Sequence, residues 1–439
     1  MKSPIKRSLL IMVLAGMLLS ACVSGAPVSV TEMAPTLVSG VQTQVGQLQT
    51  LVPTVEAVAK TQASELQTAV PSLVAPVQTA VAQLPGLKAE ISIDYAQNFK
   101  LEYRDGYKLL TVTQPWTGAT EAVVYYLVPE AAALPELPES AQVFRTPVKA
   151  VISMSSTYLP FLEEIGKLES IVGIDDATYI YNEKVKSLVG EGKIATIGGG
   201  ASLAPVDLEK VLQLNPDLIL TSATGIPEYD THPKMVEAGL PVVLDADYLE
   251  NSPLGRAEWG KFIAAFFELE NEADALFDQV AASYLKTSAE ARASAGKPSV
   301  FVNTDYQGTW YMPGGESYLA QLLQDAGAEY LFKDLEGVSS HPLTFETVYE
   351  KALDADYWLN VGFASDKASL LAQDSRYADF AAVEAGRVYN FNARANDVGA
   401  VDYYESGVAH PETVLSDLVK IFHPELLPEH SLYYYQEIK

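Results

Sequence analysis

The feature that most restricts the fold is a pattern that occurs twice. Short apolar runs alternate with amphipathic stretches, a long helical stretch interrupts them, and the alternation then restarts. In the first set, "KAVISM" (149–154), "SIVGI" (170–174), "DLILTS" (217–222) and "PVVLD" (241–245) have the length and β-branched content of strands buried on both faces. "YLPFLEEIG" and "VDLEKVLQL" supply helices between them. Residues 255 to 295 then read as one long helix, with Trp259, Phe262, Ile263, Phe266, Leu276, Phe277 and Val280 on its apolar side. Gly296 and Pro298 end it. The second set is "SVFVNT" (299–304), "YWLNVG" (357–362) and "RVYNFN" (387–392), again with helical stretches between. The fold class is therefore α/β: two Rossmann-like lobes joined by a single long backbone helix.

Ahead of the lobes, residues 91 to 128 alternate apolar and polar, with Arg104-Asp105-Gly106 as a turn between strands. They read as a β-hairpin extension. Residues 30 to 85 differ in kind, being rich in Val, Ala, Gln and Thr with almost no charge. Val41, Val45, Leu48, Val52 and Val55 follow a helical spacing, and Leu66, Val70, Leu73 and Val77 repeat it. "LQTLVPT" (48–54) returns as "LQTAVPS" (66–72), while Pro53, Pro71 and Pro76 interrupt any straight helix. The expectation is a segmented helical stalk that can self-associate, reaching about 80 Å if fully helical. A flexible Gln/Thr/Pro tether is the alternative.

At the start, Lys2, Lys6 and Arg7 precede an apolar run from Leu9 to Leu19, then Ser20 and Ala21. That order is a signal peptide, with an apolar run of about eleven residues, too short to span a bilayer. Cys22 is the single cysteine of the 439 residues, so no internal disulfide or Cys-built zinc site is available. "LSAC" resembles the lipobox of bacterial lipoproteins, in which the cysteine becomes the acylated first residue. The resulting plan is a signal peptide over 1–21, a lipid-anchored stalk over 22–88, an N-terminal lobe with its extension over 89–254, the interlobe helix over 255–297 and a C-terminal lobe over 298–439. Acidic residues number 56 against 29 basic, for a net charge of −27. Such a surface argues against nucleic acid and against polybasic membrane contact.

Three segments resemble the helical-backbone, class III substrate-binding proteins of ABC importers. They are "VDLEKVLQLNPDLIL" (206–220), "GTWYMPGGESYLAQLLQDAGAEYLF" (308–332) and "FETVYEKALDADYWLNVG" (345–362), in family order around a helix near position 275. The resemblance covers about residues 145 to 425. It implies a cleft between the lobes, small closure motions, and an iron–siderophore chelate as cargo, with cobalamin or haem as alternatives. It also implies a permease with its ATPase as partner, and glutamates at Glu209 and Glu346 that pair with permease arginines. The implied place is extracytoplasmic, on a membrane, held by lipid. Ordinary solvated helix acids are the plainer reading of both glutamates.

Candidate ligand contacts are the residues at strand C-terminal ends, where open α/β sheets bind. They are Tyr158, Thr224, Tyr229, Trp310, Tyr311, Phe363, Arg394, Asn396 and Asp397, with Trp310, Tyr311 and Arg394 foremost. Aromatic faces suit a flat or apolar ligand, and a guanidinium pairs with an anionic group. The competing reading has the rings packing between lobes and Arg394 paired with Asp397. The five histidines (His232, His341, His410, His423, His430) lack metal-ligand spacing, so no bare metal site is expected. There is no GxSxG, no GxxxxGK[ST] and no cysteine beside a histidine. No catalytic residue and no resident cofactor are expected. A scaffold or adhesion lipoprotein, and a lipoprotein enzyme, remain as other classes.

Overall fold

The computed structural model describes residues 90–200 and 204–439. Cys22, the signal peptide and the stalk lie outside them. The described chain opens with a four-stranded sheet of β1 (Phe99–Arg104), β2 (Tyr107–Val112), β3 (Val123–Pro129) and β4 (Gln142–Thr146), in sequential order. β1 and β2 form a hairpin through Asp105-Gly106, where Gly106 takes a left-handed φ of 80°. β4 runs parallel to β3 and enlarges the expected hairpin to a sheet. The segment before β1 is fixed by two buried carboxylates. Glu258 accepts hydrogen bonds from the amides of Asp94, Tyr95 and Ala96, and Glu250 from those of Gln97 and Asn98.

The N-terminal lobe is a parallel sheet of β5 (Val151–Ser153), β6 (Ile171–Ile174), β7 (Ala195–Thr196), β8 (Leu218–Thr221) and β9 (Val242–Leu244), ordered β7-β6-β5-β8-β9. Its helices include α1 (Leu159–Glu164), α2 (Glu183–Gly190), α3 (Leu208–Leu214) and α4 (His232–Glu237). Every residue of β5, β8 and β9 is buried, which accounts for their unbroken apolar runs.

The single helix expected over 255–295 is instead three: α5 (Pro253–Ala257), α6 (Trp259–Ala265) and α7 (Glu270–Arg292). After α6, Glu268 takes a φ of 58° and the Leu269 amide closes back on the Ala264 carbonyl, a Schellman-type stop. The break separates two faces. Trp259, Phe262, Ile263 and Phe266 belong to the N-terminal core, whereas Phe277, Ala281, Tyr284 and Ala291 of α7 belong to the C-terminal core.

The C-terminal lobe contains β10 (Ser299–Val302), β11 (Asp305–Tyr306), β12 (Thr309–Pro313), β13 (Glu329–Tyr330), β14 (Ser340–Leu343), β15 (Tyr357–Leu359), β16 (Val388–Asn390) and β17 (Gln436–Glu437). The main sheet is ordered β13-β10-β15-β16-β17, parallel except for β17, and β11-β12-β14 form a small antiparallel sheet. Its helices include α8 (Tyr318–Asp325), α9 (Phe345–Ala352), α10 (Lys367–Gln373), α11 (Ala381–Glu384), α12 (Ser406–Ala409) and α13 (Pro411–Phe422). α13 packs along α7. Neither five-stranded sheet borrows a strand from the other lobe, and α12 reaches back to pack on α1 and α5.

Candidate functional site

A cleft of about 680 Å³ lies where the chain order of the C-terminal sheet reverses. β10 and β15 are adjacent, and their following connections leave toward opposite sides, which opens a crevice at their C-terminal ends. Asn303, Thr304, Asp305 and Tyr306 enter it after β10, and Asn360, Gly362 and Phe363 after β15. Tyr311 comes from β12, Tyr318 and Leu319 from the first turn of α8, and Gln373 from the end of α10. Phe391, Tyr403, Tyr404 and Val408 close the C-terminal side, and Arg256 of α5 completes the lining.

The two strand ends are built alike. Asn303 and Asn360 each follow the last strand residue with left-handed φ values of 66° and 61°. Asparagine tolerates that conformation better than other side chains that carry a Cβ. The Asn303 Nδ2 donates to the Tyr311 carbonyl at 2.8 Å, and Asn360 Oδ1 accepts from the Tyr435 hydroxyl at 3.1 Å. Both turns are thereby fixed, and the ring of Tyr311 is held against the cleft. Beyond Asn360, Gly362 also has a left-handed φ, of 63°, and the next side chain, Phe363, is 98% exposed. A phenyl ring so placed gains nothing from the fold and is available to a ligand.

Arg256 is the cation of the lining. Its Nε donates to Asp247 Oδ2 at 2.8 Å, and its guanidinium lies 5.9 Å from the Tyr318 ring centre. Burial alone lowers the arginine pKa, but the Asp247 charge and hydrogen bond outweigh this and raise it, so the group stays charged. Behind it, burial and then the Asp247 carboxylate push the Asp245 carboxyl well above the usual carboxylate range. Asp245 Oδ1 in turn accepts from the Asp247 amide at 2.9 Å, which fixes the partner of Arg256.

The structure sorts the residues expected from sequence into two groups. Tyr311 and Phe363 line the cleft. The others do not. Trp310 does not follow a strand end but lies within β12, where alternation turns it inward. It is fully buried, donates from Nε1 to the Val302 carbonyl at 2.9 Å and packs against Phe301, Trp358, Tyr377 and Phe380. Tyr158 is buried in the N-terminal core. Thr224 is bound, through its amide and hydroxyl, to Asp230 Oδ1, and Tyr229 is exposed on the same loop. Arg394 pairs with Asp402 at 2.6 Å, not with Asp397, and stacks between Tyr433 and Tyr181. Asn396 donates to the Thr178 and Ile180 carbonyls, and Asp397 is exposed outside the cleft lining.

Arg394 and Asn396 therefore belong to a contact between lobes. Glu405 joins it, accepting from the Tyr181 and Asn182 amides at 2.8 Å each. Burial raises its pKa to about 7 despite those two bonds. Glu209 and Glu346 are both exposed on the first turns of α3 and α9, and Glu346 lies 3.6 Å from Arg376. Of the histidines, His232 lies tilted against Trp116, His341 bonds the Glu336 carbonyl, His410 sits between Glu164 and Glu412, His423 is buried, and His430 bonds Asp417. Among the described residues no group of three or more His, Cys, Asp or Glu is arranged to hold a metal ion.

The family model for periplasmic binding proteins matches residues 151–395, more than half of the chain. The chain belongs to this family. The helical connection between the lobes, built from α5, α6 and α7, fits its class III, helical-backbone type, the substrate-binding proteins of ABC transporters. This periplasmic binding protein is similar to an uncharacterized lipoprotein of Methanocaldococcus jannaschii, 32% identical over 302 residues that cover 66% of this chain and 69% of the relative. Solved structures similar to it include a possible iron-binding solute-binding protein from Staphylococcus epidermidis, at 18% identity and a TM-score of 0.49, covering 63% of this chain and all of that one. Another is a periplasmic heme binding protein from Pseudomonas aeruginosa, at 18% identity and a TM-score of 0.48, covering 66% and 98%. Arg256, Asn303, Asp305, Tyr306, Tyr318 and Asn360 are among the cleft residues of this binding protein that sequence reasoning missed.

Proposed function

We propose that this protein is a lipid-anchored receptor that captures a ferric siderophore chelate and delivers it to an ABC permease without chemistry. The observation that carries the reading is the cleft itself, a strand-end crevice walled by aromatic rings, with Phe363 fully offered to an occupant. About 680 Å³ is the size of a small-molecule site and far larger than a bare ion needs. Cys22 would carry the lipid, and Glu209 and Glu346 would meet the permease, one on each lobe. Cobalamin or haem is the alternative cargo.

The test is a titration of the purified protein with ferric siderophores, cyanocobalamin and haemin, followed by tryptophan fluorescence. Trp310 neighbours Tyr311 in sequence and lies just behind the cleft wall, so a coloured chelate in the cleft quenches it. Saturable one-to-one quenching with the chelate recovered unchanged supports the receptor. Failure of every chelate to bind, or its conversion on the protein, refutes it.

A further inference from the structure

Arg256 carries chemistry that the aromatic walls do not explain. It is the one cationic side chain among the residues lining the cleft. Its Nε is committed to Asp247, and Asp247 is itself buried and held by Asp245. Among the described residues neither Nη1 nor Nη2 donates a hydrogen bond. The guanidinium is thus anchored by one nitrogen, with its two-nitrogen fork left for whatever enters. Its side chain is only 22% exposed, so an occupant that fills the cleft removes most of the remaining water from that fork.

This imposes a condition on the occupant. Two charged donors stripped of water and left without acceptors cost more than a shape mismatch, so a site with such a fork rejects ligands that cannot answer it. A planar oxyanion answers both nitrogens at once. Asp305 lines the same cleft from the C-terminal lobe and disfavours a second anion beside itself, so the acidic part of a ligand is directed to the Arg256 side.

We infer that the cleft selects a chelate bearing a free carboxylate, with Arg256 as the residue that pairs with that carboxylate and sets the ligand's orientation. This rests on the receptor reading above and narrows it. Chelates with an outward carboxylate are favoured over neutral trishydroxamates and over amide-decorated corrinoids. Arg256 also ties ligand to lobe arrangement, because its anchor Asp247 follows β9 of the N-terminal lobe while Tyr318 and Asp305 belong to the other lobe.

The experiment uses the intact protein and matched probes: haemin with haemin dimethyl ester, and ferric citrate with ferrichrome. In the wild type, the acid member of at least one pair binds about tenfold or more tighter than its neutral counterpart. Arg256→Gln brings the acid-to-neutral ratio toward one, whatever happens to the neutral member's own affinity, and Arg256→Lys restores only part of the ratio, because an ammonium lacks the fork. The acid-to-neutral ratio is not moved by a general loss of packing, and the wild-type comparison needs no variant to fold. Equal binding of acid and neutral members, or an equal loss for both in Arg256→Gln, overturns the inference and leaves the receptor standing. Binding of none of the four probes, nor of cyanocobalamin, removes the receptor reading and the inference with it.

Discussion

Phe363 gives the sharpest separation of function from stability. Its side chain is 98% exposed, so Phe363→Ala removes almost no folded-state contact and changes unfolding free energy by less than about 0.5 kcal/mol. A phenylalanine buries at least about 150 Å² when covered completely, and a ligand resting on one face of a rim ring covers roughly half of that. At about 25 cal/mol per Å² the loss is about 2 kcal/mol, or about thirtyfold in Kd. The assay pairs a thermal melt with a fluorescence titration of whichever chelate the wild type binds. Trp310→Ala supplies the contrast, since deleting that fully buried ring costs about 3–5 kcal/mol of stability. An unchanged Kd in Phe363→Ala would show that the ring is not part of the ligand wall. A melting temperature lowered by several degrees would show that it is not exposed in solution.

Three other outcomes follow from the geometry. Glu258→Ala strands the amides of Asp94, Tyr95 and Ala96 and strips Lys261 of one of its two carboxylates, and should cost about 3–5 kcal/mol in urea unfolding; a loss under about 1 kcal/mol contradicts the clamp. Glu405 has a pKa raised by burial from 4.5 to about 7, so the folded state binds its proton more tightly than the unfolded chain does. Stability from this group is therefore present below about pH 4.5 and is lost as pH rises toward 7. Melting temperature against pH should fall less steeply over that range in Glu405→Gln than in the wild type, and parallel curves would exclude the assignment. Glu209→Ala and Glu346→Ala should leave chelate binding within about twofold, since neither lines the cleft, while reducing uptake by cells; full uptake in the double variant dismisses permease docking.

What could be read in advance follows from what each residue does for the fold. β5, β8, β9, β10 and β15 were legible because strands buried on both faces must be continuous apolar runs. The interruption between α6 and α7 was not, because the left-handed stop is Glu268, where glycine or asparagine would have announced it. In "TWYMP" the neighbours Trp310 and Tyr311 looked alike in composition. Only strand alternation distinguishes the inward tryptophan from the outward tyrosine. Arg394 looked like the ligand guanidinium because it follows a strand end, yet Asp402 and Tyr181 claim it. Arg256 sits in α5, far in sequence from any cleft strand of the C-terminal lobe, and only the folded arrangement brings it there. The echo of "VNT" in "LNV" was a usable sign, since an asparagine directly after two neighbouring buried strands marks a turn that other side chains resist.

The clamp around Ile91–Asn98 also decides where the molecule feels force. Glu258 and Glu250 grip this entry segment, and Glu258 lies at the junction of α5 and α6, two residues from Arg256, and shares Lys261 with Asp274 of α7. A pull on the preceding polypeptide is therefore delivered first to the joint between the lobes, bypassing both five-stranded sheets.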